Sequence, residues 1–380
     1  MGFDFDAVVE RRGTDSLKWA RYRGRDVIPM WVADMDFQAP QPVLEALHAR
    51  VEHGVFGYAV PPRELVEVVV ARMAALYGWN VEPAWITWLP GLVPALNVVC
   101  RAFGDDGDEV LTFTPAYPPF LAAPTLSRKT LRTVPLKRED HHFTFDMEGF
   151  AAALSPNARV LLLCSPHNPV GRRYEPDELR QVAEVCLERG IVLCSDEIHC
   201  DLILDGQNHV PTGTLSPEIA ANTITLMAPS KTFNVPGLNC AFAIIPNEDL
   251  RRHFKRAREA IVPHPNALGF AACLAAFRDG ESWRAALIDY LRTNKDLVYR
   301  FINDEVPGLA MDDVQATYLA WIDTTALNLP EPGRFFAQAG VGLSDGQDFD
   351  GVGFVRLNFG CPRQTLQEGL ERIKAAVTQR

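Results

Sequence analysis

Five short segments in the middle of this chain carry apolar side chains on both faces of a strand. They cover residues 109–113, 159–164, 191–195, 223–227 and 240–245. A strand that is buried on both faces needs a covering layer on each side, and in α/β proteins helices provide both layers. The pattern therefore predicts an α/β fold, in which a mostly parallel sheet lies between helices.

Helical patterns separate and follow these strands. Residues 176–189 repeat apolar positions at the spacing of one helical face. After residue 265 the pattern changes to helices at 266–277, 281–305 and 364–377, with strands at 318–322 and 355–358. We therefore expect a large domain and a smaller α+β domain. The predicted boundaries are 1–45 for an N-terminal arm that forms part of the small domain, 46–280 for the large domain, and 281–380 for the small C-terminal domain.

The charge and the chain ends exclude several classes of partner. The chain has 37 Lys and Arg against 48 Asp and Glu, a net charge of -11, so it offers no overall positive field to a nucleic acid. The uncharged stretch 83–100 is interrupted by proline and glycine, which argues against a membrane span. Residues 1–10 lack the basic and apolar regions of a secretory signal. We expect a cytoplasmic protein that binds neither nucleic acid nor membrane.

The eight cysteines show no pattern of a metal site or a disulfide framework. They are scattered through the chain, mostly inside apolar segments, with no Cys-x-x-Cys pair. Free cysteine behaves as a small hydrophobic residue. We expect reduced thiols in the core and no bound metal.

Three polar side chains follow three successive predicted strands. Asn168 comes after the strand at 159–164, Asp196 after the one at 191–195, and Lys231 after the one at 223–227. Ligands of parallel sheets bind at the carboxyl ends of the strands, so these three groups are expected to converge. Each alone has a structural alternative, because Asp often caps a helix, Asn-Pro often forms a turn and Lys is usually solvated.

An amine, a carboxylate and an amide together match the functional groups of pyridoxal phosphate. The amine can bond to its aldehyde, the carboxylate can keep its ring nitrogen protonated, and the amide can donate to its phenolic oxygen. Lys231 is the most informative of the three. It is one of only seven lysines and lies in an apolar stretch flanked by Ser, Pro and Gly.

The segments 165–172, 195–201 and 230–234 resemble the signature blocks of fold-type I pyridoxal-phosphate enzymes. More narrowly, they resemble the cystathionine β-lyase (MalY/PatB-type) subgroup of the class I/II aminotransferase superfamily. Further similar segments are 15–19, 29–37, 56–58, 115–119 and 355–359. The resemblance spans essentially the whole chain, and it implies a large domain with a mostly parallel sheet and a smaller α+β domain.

The resemblance implies a role for each residue around the cofactor ring. Lys231 would be the Schiff-base lysine and would carry the proton at Cα. Asp196 would pair with the ring nitrogen and Asn168 with the ring oxygen. Tyr117 would stack on the ring, and Ser230 would add a hydroxyl.

The resemblance also implies how the anionic groups are bound. The cofactor phosphate would meet the backbone N–H groups of Gly91, Leu92 and Val93, where a helix is predicted to begin. Arg356 would bind the substrate carboxylate through two bonds, and Ala33 would offer a backbone N–H to the same carboxylate.

A shared site in a homodimer is a further implication. Tyr58 matches a tyrosine that reaches across the dimer interface to the neighbour's cofactor and substrate, and Asn168 also belongs to the substrate site. For Tyr58 and Tyr117 the residues alone favour core packing. Cis peptide bonds are implied at Asn168–Pro169 and Thr114–Pro115.

Two positions depart from the wider aminotransferase pattern. Asn239 stands eight residues after Lys231, where an arginine usually binds the cofactor phosphate. His199 stands where a tyrosine is usual. Both replacements occur in the β-lyase subgroup and favour a lyase, with fewer charged contacts to the phosphate. His199 either bonds to the cofactor region or is a structural histidine.

The implied activity is cleavage of L-cystathionine or a related L-cysteine S-conjugate to pyruvate, ammonia and a thiol, which is homocysteine for cystathionine. Three alternatives stay open. They are an aminotransferase of the same superfamily, a specialised lyase for a bulky cysteine conjugate in secondary metabolism, and a regulatory protein that binds a transcription factor.

Overall fold

A seven-stranded sheet forms the centre of the computed structural model, which describes residues 3–379. The strands of the whole structure are β1 Ile28–Pro29, β2 Ile86–Leu89, β3 Glu109–Thr114, β4 Thr130–Pro135, β5 Lys137–Glu139, β6 His142–Thr144, β7 Ala158–Cys164, β8 Val192–Asp196, β9 Thr223–Met227, β10 Ala241–Ile244, β11 Ala310–Met311, β12 Leu319–Asp323, β13 Val341–Gly342, β14 Ser344–Asp345 and β15 Phe354–Asn358. All seven predicted strands are therefore present, with ends shifted by one or two residues at most.

The helices also follow the predicted pattern. They are α1 Leu17–Ala20, α2 Gln41–His53, α3 Arg63–Tyr77, α4 Leu92–Ala102, α5 Pro118–Leu126, α6 Met147–Ala153, α7 Pro176–Arg189, α8 Pro217–Ala221, α9 Glu248–Arg258, α10 Ala267–Asp279, α11 Glu281–Glu305, α12 Pro332–Gln338 and α13 Arg363–Thr378. The predictions at 176–189 and 281–305 match α7 and α11 at both ends. None of these helices is long and apolar enough to cross a bilayer.

The large sheet has the strand order β2-β10-β9-β8-β7-β3-β4. The five strands from β9 to β4 run parallel, whereas β10 is antiparallel to both β9 and β2. Parallel neighbours need a crossover, usually through an α-helix, whereas the segment 228–240 joins β9 to the antiparallel β10 without an α-helix. The predicted α/β fold with a mostly parallel sheet is confirmed.

Side chains alternate between two cores on the faces of this sheet. On β7, Val160 and Leu162 pack in one core with α4 and α9, and Leu161 and Leu163 pack in the other with α7. Successive strand residues point to opposite faces, so helices on both sides bury all four. This double burial is the reason that β7 is apolar from Val160 to Cys164.

A second sheet of four strands, in the order β11-β12-β15-β14, is formed by residues 310–358. It packs in one core with the C-terminal helices α11 and α13. Strand β1, from the N-terminal region, pairs with β13. The domain boundaries at residues 45 and 280 stay a prediction. Residues 1, 2 and 380 of the predicted outer ranges lie outside the described residues.

Candidate active site

A cavity of about 270 Å³ opens at the carboxyl ends of β7, β8 and β9, where the sequence predicted a binding site. Most of the predicted site residues line it together. They are Ala33, Gly91, Leu92, Val93, Tyr117, Asn168, Asp196, His199, Ser230 and Lys231. Residues that are far apart in the sequence thus meet because the strand ends lie side by side.

Lys231 lies in the loop after β9 and points toward the N-terminal part of the chain. Its Nζ donates a hydrogen bond to the Ala33 carbonyl oxygen at 2.6 Å. Burial lowers the pKa of Lys231 to about 8, helped by the nearby Arg356 cation and opposed by the Asp34 and Asp196 carboxylates. A large fraction of this amine is therefore neutral near pH 8, which is the form that can attack a carbonyl carbon.

Asp196 is the last residue of β8, and its side chain is buried at the base of the cavity. Burial raises the pKa of this carboxyl to about 7, against the opposing effects of the Ile198 backbone N–H and Lys231. The Ile198 N–H donates to Oδ1 at 3.1 Å. A buried carboxyl with so little local compensation is suited to accept a cationic N–H group from a ligand.

Asn168 lines the cavity, and Arg356, which is not one of its lining residues, bonds to Asn168. Arg356, on β15, donates from Nη1 to Asn168 Oδ1 at 2.9 Å and from Nη2 to the Trp31 carbonyl oxygen at 2.7 Å. With Oδ1 of Asn168 occupied in this way, the NH₂ group is the part of the amide left to donate toward the cavity. The expected cis bonds at Asn168–Pro169 and Thr114–Pro115 are present, and Ser165–Pro166 is also cis.

The Arg356 guanidinium is buried, and no carboxylate of residues 3–379 forms an ion pair with it. Burial lowers its pKa to about 10, and among the described residues Nε has no hydrogen-bond partner. The ring of Phe349 lies 4.7 Å from the guanidinium carbon. A buried cation that lacks a counterion is costly, and a ligand carboxylate would supply the missing charge.

His199 and Tyr117 add aromatic rings to the cavity. Burial lowers the pKa of His199 well below its usual value, so its imidazole is neutral, and its Nδ1 has no partner among residues 3–379. Tyr117 is half-buried at the start of α5, and burial raises the pKa of its hydroxyl. Of the two roles considered for His199, its place on the cavity wall favours contact with a ligand.

The start of α4 forms the anion-binding end of the cavity. Gly91 precedes the helix, which begins at Leu92, and no side chain within residues 3–379 caps the helix start. The first N–H groups of a helix are free donors, and the helix dipole adds positive charge there. Ser230 and Asn239 line the same cavity, and neither adds a formal charge.

Tyr58 is not brought to this cavity within the single chain. It lies in the loop between α2 and α3, and its side chain is fully exposed among the residues that the structure describes. A separate cavity beside it is lined by Phe56 and by residues 263–268.

Sequence reasoning missed Tyr318, which is buried beside the predicted residues. Its hydroxyl donates to the Ala33 carbonyl oxygen at 2.9 Å, the same atom that accepts from Lys231. Its ring lies edge-on to His199, with centroids 6.1 Å apart. Tyr318 directly precedes β12, so the strand pattern gave no signal of a polar role.

These groups fit pyridoxal phosphate. The cavity offers an amine with a lowered pKa, a buried carboxyl, an amide NH₂ group and an uncapped helix start, one for each polar group of that cofactor. The unpartnered His199 Nδ1 shows that the site has donor or acceptor capacity which the protein alone does not use. No group of three or more possible metal ligands occurs among residues 3–379.

Comparisons with known proteins identify the family of this chain. The family model "Aminotransferase class I and II" matches residues 25–373. Cystathionine β-lyase PatB of Bacillus subtilis (strain 168) is 38% identical over 99% of this chain and 100% of its own length. The crystal structure of OvoB superposes with a TM-score of 0.97 and 42% identity, covering 100% of both chains.

A third relative carries the cofactor in its structure. Cystalysin from Treponema denticola, which contains pyridoxal 5'-phosphate, has a TM-score of 0.96 and 33% identity over 100% of both chains. The predicted fold type I of pyridoxal-phosphate transferases is thereby confirmed. This chain belongs to the class I and II aminotransferase family.

Proposed function

We propose that this protein is a pyridoxal-phosphate-dependent carbon–sulfur β-lyase. It would cleave L-cystathionine or a related L-cysteine S-conjugate with water to give pyruvate, ammonia and a thiol. The observation that carries the proposal is the partly buried Lys231 amine, which lines one cavity with Asp196 and Asn168, beside an arginine that has no counterion among residues 3–379. Relatives of this chain that bear cystathionine β-lyase or C–S lyase names support the choice of reaction.

The cofactor, when bound, supplies an aldehyde that bonds to amines and a ring that takes up the electron pair of a broken Cα–H bond. Asp196 would hold the proton on the ring nitrogen, and the NH₂ group of Asn168 would donate to the ring oxygen. Tyr117 would cover one face of the ring. The N–H groups at the start of α4, with Ser230, would bind the phosphate.

The protein's own groups would orient the substrate and move its proton. Arg356 would bind the α-carboxylate, which fixes the direction of the Cα–H bond. Lys231 would take the proton from Cα, since its pKa of about 8 is near that of a base at physiological pH. The Cβ–S bond then breaks, and the sulfur leaves with the electron pair as a thiolate.

We propose a homodimer in which the partner subunit's Tyr58 completes each site. The exposed apolar side chains of Val55, Phe56, Tyr58 and Val60 support this, since a cluster of this kind is typical of an interface. We propose a cytoplasmic location, which is supported by the eight cysteines, all buried free thiols. No partner other than a second copy and a small substrate is proposed.

Pyruvate release from L-cystathionine tests the proposed reaction directly. The purified protein is loaded with pyridoxal phosphate and assayed without any 2-oxo acid. Many turnovers to pyruvate are expected. Turnover that requires an added 2-oxo acid would instead identify an aminotransferase and would refute the lyase.

Substitution of Lys231 tests the central residue. Lys231→Ala is expected to abolish the absorption band of the covalent cofactor bond and to lower the lyase rate by about 10³-fold or more. Lys255→Ala, at an exposed position of α9, is the matched control and should keep both the absorption band and the lyase rate. Retention of the band in Lys231→Ala would remove Lys231 from its proposed role.

A further inference from the structure

A seven-residue segment joins the two charged groups on which the proposed reaction depends. We call residues 31–37 the strap. The Trp31 carbonyl oxygen accepts from Arg356, and the Ala33 carbonyl oxygen accepts from Lys231. The charged groups of Arg356 and Lys231 therefore each bond to a carbonyl group of the strap. These two carbonyl groups belong to residues two positions apart.

Side-chain amides hold the strap where strand pairing would otherwise hold it. Asn358 Nδ2 donates at 2.7 Å to the carbonyl oxygens of both Val32 and Asp34. Asn234 donates to the carbonyl oxygens of Met35 and Phe37 and accepts from the Met35 N–H, each at 2.8 or 2.9 Å. No residue of the strap belongs to a strand of the structure. One backbone hydrogen bond, from the Asp36 N–H to the Gly360 carbonyl oxygen at 2.9 Å, also holds the strap, whereas the bonds of Asn358 and Asn234 come from side chains.

A buried ion pair joins the strap to the N-terminal segment of the chain. Lys18 has an exposed fraction of 0%, and its Nζ lies 2.7 Å from Asp36 Oδ2 and 3.2 Å from the Asp34 carbonyl oxygen. Arg11 lies 2.5 Å from Asp36 Oδ1 and 2.8 Å from Asp34 Oδ2. The N-terminal segment that carries Lys18 and Arg11 is thus joined to the strap by charge as well as by hydrogen bonds.

Burying these charges costs desolvation energy, which a pair of apolar side chains would avoid. The charged pair instead fixes the geometry of the strap, because Lys18 bonds both to the Asp36 side chain and to the backbone carbonyl oxygen of Asp34. We propose that Lys18 and Asp36 are positioning residues, whose ion pair fixes the strap and so sets how Arg356 and Lys231 are presented to the substrate. This inference rests on the proposed function, in which Arg356 binds the substrate carboxylate.

Lys18→Met tests the inference, because methionine keeps the apolar body of the side chain and removes the charge. In the holoenzyme, the KM for L-cystathionine is expected to rise about tenfold or more, with a smaller fall in kcat. The Kd of L-alanine, which lacks a β leaving group, should rise by a similar factor. This binding is followed by the change in cofactor absorbance and does not depend on turnover.

Two control variants separate positioning from general stability. Lys374→Met breaks an ion pair of 2.8 Å with Glu305 on the surface. It should leave the KM for L-cystathionine and the Kd of L-alanine unchanged. Val182→Ala, at a buried position of α7, should lower the Tm without changing the Kd of L-alanine. If Lys18→Met is folded and binds L-alanine as the unmodified protein does, the positioning role is refuted.

Asp36→Asn is the second test if Lys18→Met fails to fold, because the amide keeps the size of the side chain and an acceptor oxygen for Lys18 while it removes the charge that pairs with Lys18. The same rise in the Kd of L-alanine is expected, and an unchanged Kd would overturn the inference. Failure of the proposed function looks different. In that case the unmodified holoenzyme itself releases no pyruvate from L-cystathionine.

Discussion

At the scale of single residues, burial sets the charges of the site. It is the largest cause of the lowered pKa values of Lys231 and Arg356 and of the raised pKa of Asp196. Each shift favours the neutral form of its group. Before the cofactor binds, the site therefore holds charges that it stabilises poorly, and a zwitterionic ligand with a phosphate would relieve them.

The pKa of Lys231 predicts how fast the apoprotein bonds to the cofactor at each pH. Only the neutral amine attacks the aldehyde, so the rate should rise with pH and level off above about 8. A lysine with an ordinary pKa would level off above about 10.4. Mixing apoprotein with pyridoxal phosphate in a stopped-flow spectrometer between about pH 6 and pH 10 measures the midpoint. A midpoint near 10 would contradict the effect of burial.

Asn239 predicts the strength of phosphate binding. Asn239→Arg should add a cation at the cavity and slow the release of pyridoxal phosphate about tenfold, without removing lyase activity. The residue has a φ of 54°, a left-handed conformation that suits asparagine better than arginine, so a lower Tm is expected as well. Cofactor release is measured by dilution and fluorescence. An unchanged release rate would refute the phosphate argument.

The residues that sequence reasoning found and missed differ in the kind of group they use. Lys231, Asp196 and Asn168 could be predicted because each brings its own side-chain chemistry to a strand end. Tyr318 could not be predicted, because its partner is the backbone carbonyl group of Ala33, 285 residues away in the chain. A carbonyl group is present at every residue, so a sequence gives no sign of which one is used.

At the scale of elements, buried apolar strands were predictable and the edges of the sheet were not. β7 and β9 are buried along their length, whereas β4 is largely exposed at the edge of the sheet and carries little apolar pattern. β2 is buried but lies within an uncharged stretch that also contains part of α4, so its limits were hidden. Burial on both faces is what produces a readable pattern.

The loop between β7 and α7 is joined to the neighbouring strand end by His167. Its Nε2 lies 2.8 Å from the Pro115 carbonyl oxygen, and its Nδ1 lies 3.0 Å from the Tyr174 hydroxyl. Burial lowers the pKa of His167 to about 4, so the neutral ring donates from Nε2 and accepts at Nδ1. The loop that carries Asn168 is therefore held by a histidine that must stay neutral.

His167 predicts a loss of stability in mild acid. The pKa of His167 is about 4 in the folded state and about 6.5 in the unfolded state. The stability that depends on its neutral ring is therefore complete above pH 6.5 and is lost as the pH falls toward 4. A fall from pH 7 to pH 5 should, through His167, lower the free energy of unfolding by about 2 kcal/mol. Urea denaturation of His167→Gln should show a pH dependence smaller by that amount. His253→Gln, at an exposed position, is the control, and equal pH dependence in all three proteins would contradict the prediction.

At the scale of the whole molecule, the cavity is assembled from parts that lie far apart in the chain. Asp196 ends β8 and Lys231 follows β9 in the seven-stranded sheet. Arg356 belongs to the four-stranded sheet, and Ala33 comes from the N-terminal region. Within one chain these parts leave Tyr58 outside the site and exposed. If the proposed site is shared between two chains, its activity must depend on residues from both.

Hybrid dimers test the shared site. Chains with Tyr58→Phe keep Lys231, and chains with Lys231→Ala keep Tyr58, so a hybrid has one site in which both residues are intact. Because a two-fold interface is self-complementary, equal mixing places about half of the chains in hybrids and should restore about a quarter of the unmodified activity. The two variants are denatured together, refolded with pyridoxal phosphate and assayed for pyruvate, with each variant refolded alone as the control. Activity that never exceeds the mean of the two separate variants would mean that each chain builds its site alone, and the exposed loop at Tyr58 would then need another explanation.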